Sequence, residues 1–286
     1  MKIGITADTF DTRGYGRWRD DTYIKLKRHG FSCSDFDMSN TDSEIYTLPQ
    51  ADSDKLLIKE KKLAEKAGIE ISQVHGPWRW PVQDSTEEDR AERMEKMKKS
   101  IRATYVLGCK NWVIHPIMPY GIEDANTDAA QSTWDMNIAF MRELLQTAKE
   151  YDITICLENM PMLNFSISKP EDILRFAEEI NDENFKICLD TGHVSVFKEL
   201  SLYHEVLRLG KKIRTLHVHD NRNSLDLHMA PYYGIINWDE FALALKEIGF
   251  NGSFSLETLP SRKLPDDIFE NTCKIYASIA KNICNE

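Results

Sequence analysis

Histidine and acidic residues collect at the ends of short apolar segments of this sequence. Six of the eight histidines and four carboxylates lie at such an end or just beyond it: His75, His115, Glu158, Asp190, His193, His217, His219, Asp226, His228 and Glu257. Imidazole and carboxylate groups together suit Zn²⁺, Mn²⁺, Co²⁺ or Mg²⁺. Charged side chains are rarely buried unless they are paired or bind metal, and few Lys or Arg residues accompany these. The pattern therefore predicts a divalent metal site.

The segments that must position these residues alternate along the chain. Eight short apolar or β-branched runs predict strands: KIGITAD, FSCSDFDM, ISQVHGP, NWVIHP, ITICLEN, FKICLDTGH, IRTLHVHD and SFSLET. Eight stretches of helical period separate or follow them, at residues 19–29, 53–67, 86–107, 133–150, 169–180, 201–211, 237–248 and 264–282. Gly30, Gly68 and Gly249 follow three of these helices directly, where left-handed caps are expected.

Strict alternation requires parallel strands joined by helical crossovers. Eight such units predict an α/β fold, namely a (β/α)₈ TIM barrel that forms a single domain over residues 1–286. An open doubly wound sheet is the alternative, but the glycine-rich phosphate turn of that fold is absent from the sequence. Active sites of TIM barrels lie at the carboxyl ends of the strands, so we expect the histidines and carboxylates on one rim.

Composition argues against several classes of protein. The chain of 286 residues carries 36 basic and 46 acidic residues, and its net charge of -10 disfavours nucleic acid as a partner. No apolar run approaches the ~20 residues that cross a membrane, and MKIGITADTF lacks the layout of a signal peptide. Six scattered cysteines without a CxxC pair predict reduced thiols. We therefore expect a cytoplasmic protein with a small-molecule partner, and whether it forms a homo-oligomer stays open.

Several of these segments carry a resemblance to a known family. They are VHGP at 74–77, IHP at 114–116, CLEN at 156–159, ICLDTGH at 187–193, LHVHD at 216–220 and SLET at 255–258. In these segments the sequence resembles the xylose isomerase-like barrel superfamily. That superfamily contains sugar isomerases and epimerases, and also the endonuclease IV enzymes of AP endonuclease family 2. The resemblance spans nearly the whole chain, but it does not select one activity.

The resemblance to ketose 3-epimerases implies one divalent metal, either Mn, Co, Mg or Zn. Its ligands would be Glu158, Asp190, His217 and Glu257. The metal would polarise a carbonyl and stabilise an enediolate, while Glu158 and Glu257 act as the catalytic pair that moves the proton. His193 would contact a substrate oxygen. The substrate implied is a sugar, a sugar phosphate or a polyol.

The sequence departs from the tagatose- and psicose-type epimerases at two positions, and these departures bear on the substrate. Those enzymes carry a further Glu and a further Arg, and the matching positions here are Asn164 and Asn223. A free ketohexose is therefore disfavoured as substrate. Arg222 lies one residue from the second position, and we expect it and Trp78 to contact substrate at the rim. Basic and aromatic residues at 13–19 and 78–80 could pack against a sugar and bind a phosphate group, or they could stack on DNA bases and bind the DNA backbone.

The alternative reading is a zinc phosphodiesterase that acts on abasic DNA. Endonuclease IV binds three zinc ions through nine ligands, and the resemblance implies His75, His115, Glu158, Asp190, His193, His217, Asp226, His228 and Glu257 for them. The glycine-rich stretches of that family are replaced here by MPMLNF and APYYGII. A barrel without catalysis is a third class, but neither carboxylate of the proton-transfer pair is lost. The sequence therefore favours an isomerase or epimerase, with His219 expected beside the ligands and Asp220 as a capping group.

Overall fold

The computed structural model describes residues 1–7, 20–222 and 224–284. The described residues form ten strands: β1 (Lys2–Ala7), β2 (Cys33–Asp37), β3 (Glu70–His75), β4 (Asn111–Ile114), β5 (Thr154–Glu158), β6 (Phe185–Asp190), β7 (Ile213–His217), β8 (Asp220–Arg222), β9 (Leu225–Met229) and β10 (Ser253–Leu256). All except β8 and β9 belong to one parallel sheet in the order β10-β1-β2-β3-β4-β5-β6-β7.

The two edge strands of this sheet, β7 and β10, meet at Val218. Its N–H donates to the carbonyl of Ser255 at 2.9 Å, and its own carbonyl accepts from the N–H of Glu257 at 3.0 Å. These bonds bring the sheet to near closure, because the strand order leaves no other gap. The predicted (β/α)₈ barrel is confirmed.

Helices cover the outside of the barrel. The described helices are α1 (Thr22–His29), α2 (Glu44–Thr47), α3 (Gln50–Ala67), α4 (Glu87–Leu107), α5 (Ala129–Glu150), α6 (Pro170–Ile180), α7 (Thr191–Val196), α8 (Leu202–Leu209), α9 (Trp238–Glu247) and α10 (Asp266–Ile283), with a 3-10 turn at Gly210–Lys212. Eight of them match the predicted helices to within a few residues. The short helices α2 and α7 were not predicted, because one or two turns carry too little periodicity to be recognised.

Two of the expected glycine caps show why helices end where they do. Gly30 and Gly68 have φ of 103° and 67°, in the left-handed region that other residues adopt at a cost. The Gly30 N–H donates to the carbonyl of Lys27, and the Gly68 N–H to that of Glu65. Each cap turns the chain sharply into the strand that follows.

The hairpin β8–β9 is the main difference from the predicted fold, which treated this segment as a loop. Its strands pair antiparallel, with Asp220 opposite Met229 and Arg222 opposite Leu225. The alternation of Leu225 and Leu227 with Asp226 and His228 is the two-residue period of a strand. Five residues with exposed leucines were too short and too polar a signal to separate this strand from a loop.

Apolar packing holds the helices on the barrel. Ile155, Phe176 and Phe241 are fully buried in this layer, and each such side chain contributes about 1.5–3 kcal/mol. The barrel interior differs, because Val113, Cys156 and Cys188 form a small separate apolar cluster there. All six cysteines are unbridged, and Cys284 alone among them is not fully buried. Among the described helices, none combines the length and the apolar character needed to span a membrane.

Candidate active site

The structure places the ten histidines and carboxylates at one end of the barrel. His75, Glu158, Asp190 and His217 are the last residues of β3, β5, β6 and β7. His115 and Glu257 follow β4 and β10 directly. The others lie beyond the sheet, with His193 on α7, His219 just before the hairpin, and Asp226 and His228 on β9.

Glu158, Asp190, His217 and Glu257 form the centre of this site, and we call them the quartet. One ligand atom from each lies within 4.8 Å of the others. Nδ1 of His217 is 3.0 Å from Oε1 of Glu158 and 3.6 Å from Oε2 of Glu257. Glu158, Asp190 and His217 are buried, and the Glu257 side chain is 20% exposed.

A second group shares Glu158 with the quartet. Nε2 of His115 lies 3.1 Å from Oε2 of Glu158, and Nε2 of His75 lies 3.7 Å from the same oxygen. The two imidazole rings meet edge to face, with their centroids 4.9 Å apart. Glu158 is therefore a common partner of histidines on β3, β7 and the end of β4, and Nδ1 of His193 also lies 3.6 Å from its Oε1.

The third group joins the barrel to the hairpin. His193, His219, Asp226 and His228 bring one ligand atom each to within 4.8 Å of the others. Oδ2 of Asp226 is 3.4 Å from Nε2 of both His193 and His228. His219 stacks on His228 at 4.1 Å and places its Nε2 3.1 Å from Asp190, so this histidine links the third group to the quartet.

Three of the histidines are oriented by backbone carbonyls. Nδ1 of His75 donates to Gly76 at 2.8 Å, that of His193 to Asn159 at 2.7 Å, and that of His228 to Glu257 at 2.9 Å. A carbonyl only accepts, so the hydrogen must lie on Nδ1 in each ring. Nε2 then faces the site with its lone pair whenever the ring is neutral, which is the usual arrangement of histidine ligands to metals.

The segment DTGH at 190–193 positions two of these groups at once. The Asp190 side chain accepts from the N–H of His193 at 2.7 Å and so caps α7. Gly192 is required by a close approach, because a Cβ atom there would lie 1.9 Å from Cε1 of His219. The glycine therefore lets the His219 ring reach Asp190.

The pKa values of the two glutamates of the quartet are shifted in opposite directions. Burial alone would raise the pKa of Glu158, but the charges of His217 and His115 and their hydrogen bonds outweigh it and hold that pKa well below its usual value. Burial raises the pKa of Glu257, and its contacts with His217 and His228 offset this only in part. Paired acids with separated pKa values are typical of proton-transfer sites.

The pKa values of the histidines are also shifted in different directions. Burial lowers the pKa of His115 to about 4, although Glu158 opposes the shift. Burial would also lower the pKa of His193, but Asp190, Asp226 and Glu158 outweigh it and raise the pKa to about 10. Asp226 and Glu257 similarly overcome burial and raise the pKa of His228 to about 10. The carboxylates beside His193 and His228 therefore favour the protonated form of both rings.

A cavity of about 760 Å³ opens above these groups. Its lining includes Trp78, whose ring lies edge-on to His115 at 4.5 Å. Arg222 is not among the described lining residues, and its guanidinium donates instead to the carbonyl of Tyr233. Asn164 is exposed and donates to Glu123 at 2.9 Å. The predicted rim segment 13–19 and Asn223 lie outside the described residues.

Two buried aspartates, not considered as site residues from the sequence, support this arrangement. Asp35 on β2 lies 2.9 Å from Nε2 of His217. Asp220, expected only as a capping group, accepts five hydrogen bonds, from the N–H groups of residues 221 and 234–236 and from Trp238. An acidic residue inside an apolar strand was the available signal for Asp35. No pattern predicts the five donors, because most of them come from a distant loop.

Asp220 holds the loop that follows the hairpin, so its replacement by asparagine is expected to destabilise the protein by about 3 kcal/mol. The amide would turn an NH₂ group toward the buried backbone N–H groups. Urea unfolding measures the change. Asp128→Asn is the matched control, because this exposed N-cap makes no side-chain cap bond and the change should cost less than about 0.5 kcal/mol. Equal stability of the two variants would contradict the role of Asp220.

Comparison with known proteins agrees with the fold. Residues 24–276 match a family model described as xylose isomerase-like TIM barrel. A crystal structure of D-psicose 3-epimerase with D-tagatose from Clostridium cellulolyticum H10 superposes with a TM-score of 0.79 at 18% identity, covering 99% of each chain.

Curated sequences of two activities are also similar. A D-psicose 3-epimerase of Ruminiclostridium cellulolyticum is 25% identical over 214 residues, covering 72% of this chain and 69% of that protein. A probable endonuclease 4 of Metamycoplasma arthritidis is 30% identical over 138 residues, covering 44% of this chain and 46% of that protein. The epimerase similarity thus extends over more of the chain than the endonuclease similarity.

Proposed function

Because the chain belongs to the xylose isomerase-like TIM barrel family, we propose that it is a metal-dependent isomerase or epimerase of a sugar or polyol. The observation that carries the proposal is the quartet, in which two glutamates from separate strands face one point. The similarity to D-psicose 3-epimerase over 72% of the chain supports the same class of reaction.

The donor atoms of the quartet fit a divalent cation. Three carboxylates and one imidazole converge, and among the described residues their salt-bridge partners are histidines, with no Lys or Arg. Oε2 of Glu257 is buried, and no described residue forms a hydrogen bond with it. Such a set of charges is costly unless a cation compensates it, and it suits Mn²⁺, Co²⁺, Mg²⁺ or Zn²⁺. When bound, the cation would polarise the substrate carbonyl and acidify the adjacent C–H group.

The two glutamates account for proton transfer. Glu158 ends β5 and Glu257 follows β10, and β6 and β7 separate these strands on the shorter way round the barrel. A planar substrate between them presents one face to each carboxylate. One glutamate removes the proton beside the carbonyl and the other returns a proton to the opposite face, which inverts the carbon.

Other residues of the site bind and orient the substrate. His193 is buried on α7, with Nδ1 fixed by the Asn159 carbonyl, so its Nε2, which lies 3.4 Å from Asp226, is the nitrogen left to contact a substrate hydroxyl. Trp78 supplies an apolar wall of the cavity against which a sugar ring can pack. Both contacts would hold the reacting carbon still between the glutamates.

A second candidate function is favoured by a specific observation. The nine residues implied for a three-zinc phosphodiesterase fall into three groups. The quartet and the group of His75 and His115 share Glu158, and His193, Asp226 and His228 belong to the third group. Three cations could clamp the attacking and leaving oxygens of a phosphodiester. The similarity to a probable endonuclease 4 covers 44% of the chain, so we place this function second.

Solvent exchange tests the proposal directly. The purified protein is incubated in D₂O with ketoses, keto-inositols, keto-glycosides and sugar phosphates, and deuterium beside the carbonyl is followed by NMR. Exchange into at least one class of substrate is expected, because proton transfer through a glutamate brings in solvent hydrogen. Nicking of abasic duplex DNA without exchange into any of these compounds would overturn the proposal in favour of the phosphodiesterase.

A further inference from the structure

Asp35 lies inside the barrel next to the quartet. It is 2% exposed, and its Oδ2 is 2.9 Å from Nε2 of His217. The amide of Gln73 donates to the same oxygen at 2.9 Å and also to the carbonyl of Leu216 at 3.2 Å. Three buried residues from β2, β3 and β7 thus form one hydrogen-bonded unit, which we call the Asp35 cluster: Asp35, Gln73 and His217.

Packing alone does not account for an aspartate at this position. Among the described residues, the salt-bridge partner of Asp35 is His217, and no Lys or Arg pairs with it. The second oxygen, Oδ1, is buried and has no hydrogen-bond partner in the part of the chain that the structure describes. A buried carboxylate that keeps one oxygen unpaired costs free energy that an apolar side chain would not. Its contact with the imidazole is therefore the feature to explain.

Both nitrogens of His217 face carboxylates, Nε2 facing Asp35 and Nδ1 facing Glu158, so without a cation both can donate. Nδ1 points to the quartet, 3.0 Å from Glu158 and 3.6 Å from Glu257. A cation held by the quartet would take the lone pair of Nδ1. The remaining hydrogen would then lie on Nε2, where Asp35 accepts it.

We propose that Asp35 is a positioning residue for a metal ligand. It keeps the hydrogen on Nε2 of His217 and fixes the plane of the ring, so that Nδ1 is presented to a divalent cation. Gln73 fixes Asp35 in turn, since its amide spans the carboxylate and the backbone beside His217. The inference rests on the proposed function, because it requires that the quartet bind a cation.

The affinity for Co²⁺ tests this role without using activity. The metal-free protein is titrated with Co²⁺ in a calorimeter, as wild type and as Asp35→Asn, Gln73→Leu and the double variant. Partners that orient ligands typically change metal affinity by about 10–100-fold, so Asp35→Asn should raise the Kd for Co²⁺ by that factor. Gln73→Leu should raise it less. The double variant should match Asp35→Asn, because Gln73 acts through Asp35.

Asp124→Asn is the matched control. Asp124 is also a buried aspartate, and it accepts from the N–H and the hydroxyl of Ser166 away from the quartet. This change should lower the melting temperature and leave the Kd for Co²⁺ within about twofold of wild type. Equal Kd values for Asp35→Asn and wild type would overturn the inference. So would an Asp124→Asn protein that loses as much affinity as Asp35→Asn, since general destabilisation would then explain both.

NMR of the zinc-loaded protein gives a second readout and separates the two proposals. Long-range ¹H–¹⁵N correlations should place the hydrogen of His217 on Nε2, and a hydrogen on Nδ1 would overturn the inference. If Asp35→Asn binds Co²⁺ normally while wild type exchanges solvent hydrogen into a ketose, only the Asp35 inference fails. If wild type binds Co²⁺ through the quartet without any exchange, only the isomerase proposal fails. If wild type binds no Co²⁺, both fail.

Discussion

Replacing Glu257 with glutamine is expected to slow hydrogen exchange between solvent and substrate by about 10²–10⁴-fold, the usual contribution of one acid–base group. Glutamine keeps the size of the side chain but cannot take up or release a proton. It also leaves three of the four quartet residues in place: Glu158, Asp190 and His217. The rate of deuterium entry beside the carbonyl, measured by NMR with the best substrate, gives the effect.

The control for this change is Glu123→Gln. Glu123 is exposed, and its carboxylate accepts from Asn164. Its variant should therefore exchange hydrogen at the wild-type rate. Glu158→Gln should be as slow as Glu257→Gln, and the double variant little slower than either, because residues that act as a pair are not additive. Normal turnover by Glu257→Gln would show that this carboxylate moves no proton.

Removal of divalent cations is expected to abolish exchange and to lower stability. A cation present at about 100 times its Kd stabilises the folded state by about 2.7 kcal/mol, and chelation removes that contribution. The melting temperature should fall with EDTA, and both exchange and melting temperature should recover when Mn²⁺, Co²⁺, Mg²⁺ or Zn²⁺ is returned. Activity that persists after complete removal of metal would contradict the role of the quartet.

The number of cations per chain distinguishes the two candidate functions. Elemental analysis of protein purified without chelator should find about one cation, held by the quartet. His75, His115 and His228 would then contact substrate or orient its ligands. Two or three zinc ions per chain would instead bring these histidines in as ligands, and abasic DNA would become the first substrate to test.

Much of the fold could be predicted because its signals are local. Alternation of short apolar runs with amphipathic stretches follows from backbone geometry and burial, and each barrel unit repeats it. The strand-end rule then places residues such as His75, Glu158 and Glu257 on one rim without knowledge of any contact. For this reason, residues that lie more than 180 positions apart in the sequence could be predicted to share one site.

The features of the fold and the site that could not be predicted depend on contacts between segments that are distant in sequence. The interaction between Asp35 and His217 joins β2 to β7 across the barrel, so neither residue's neighbours in sequence reveal it. Asp220 has the sequence context of an ordinary strand end, and four of its five donors become evident only when residues 234–238 are folded back against it. The strand β9 was not predicted because polar residues of the site, Asp226 and His228, occupy one of its faces and make the segment resemble a loop.

The β8–β9 hairpin determines which part of the site is lost first when the structure opens locally. Asp226 and His228 belong to a two-stranded ribbon rather than to the barrel sheet. Short peripheral pairings open locally at a fraction of the free energy of global unfolding. The third group can thus disassemble and reform within the native state while the quartet stays intact. A chain that holds several cations would therefore release them in sequence on warming, beginning at the ribbon and well below the temperature at which the barrel unfolds.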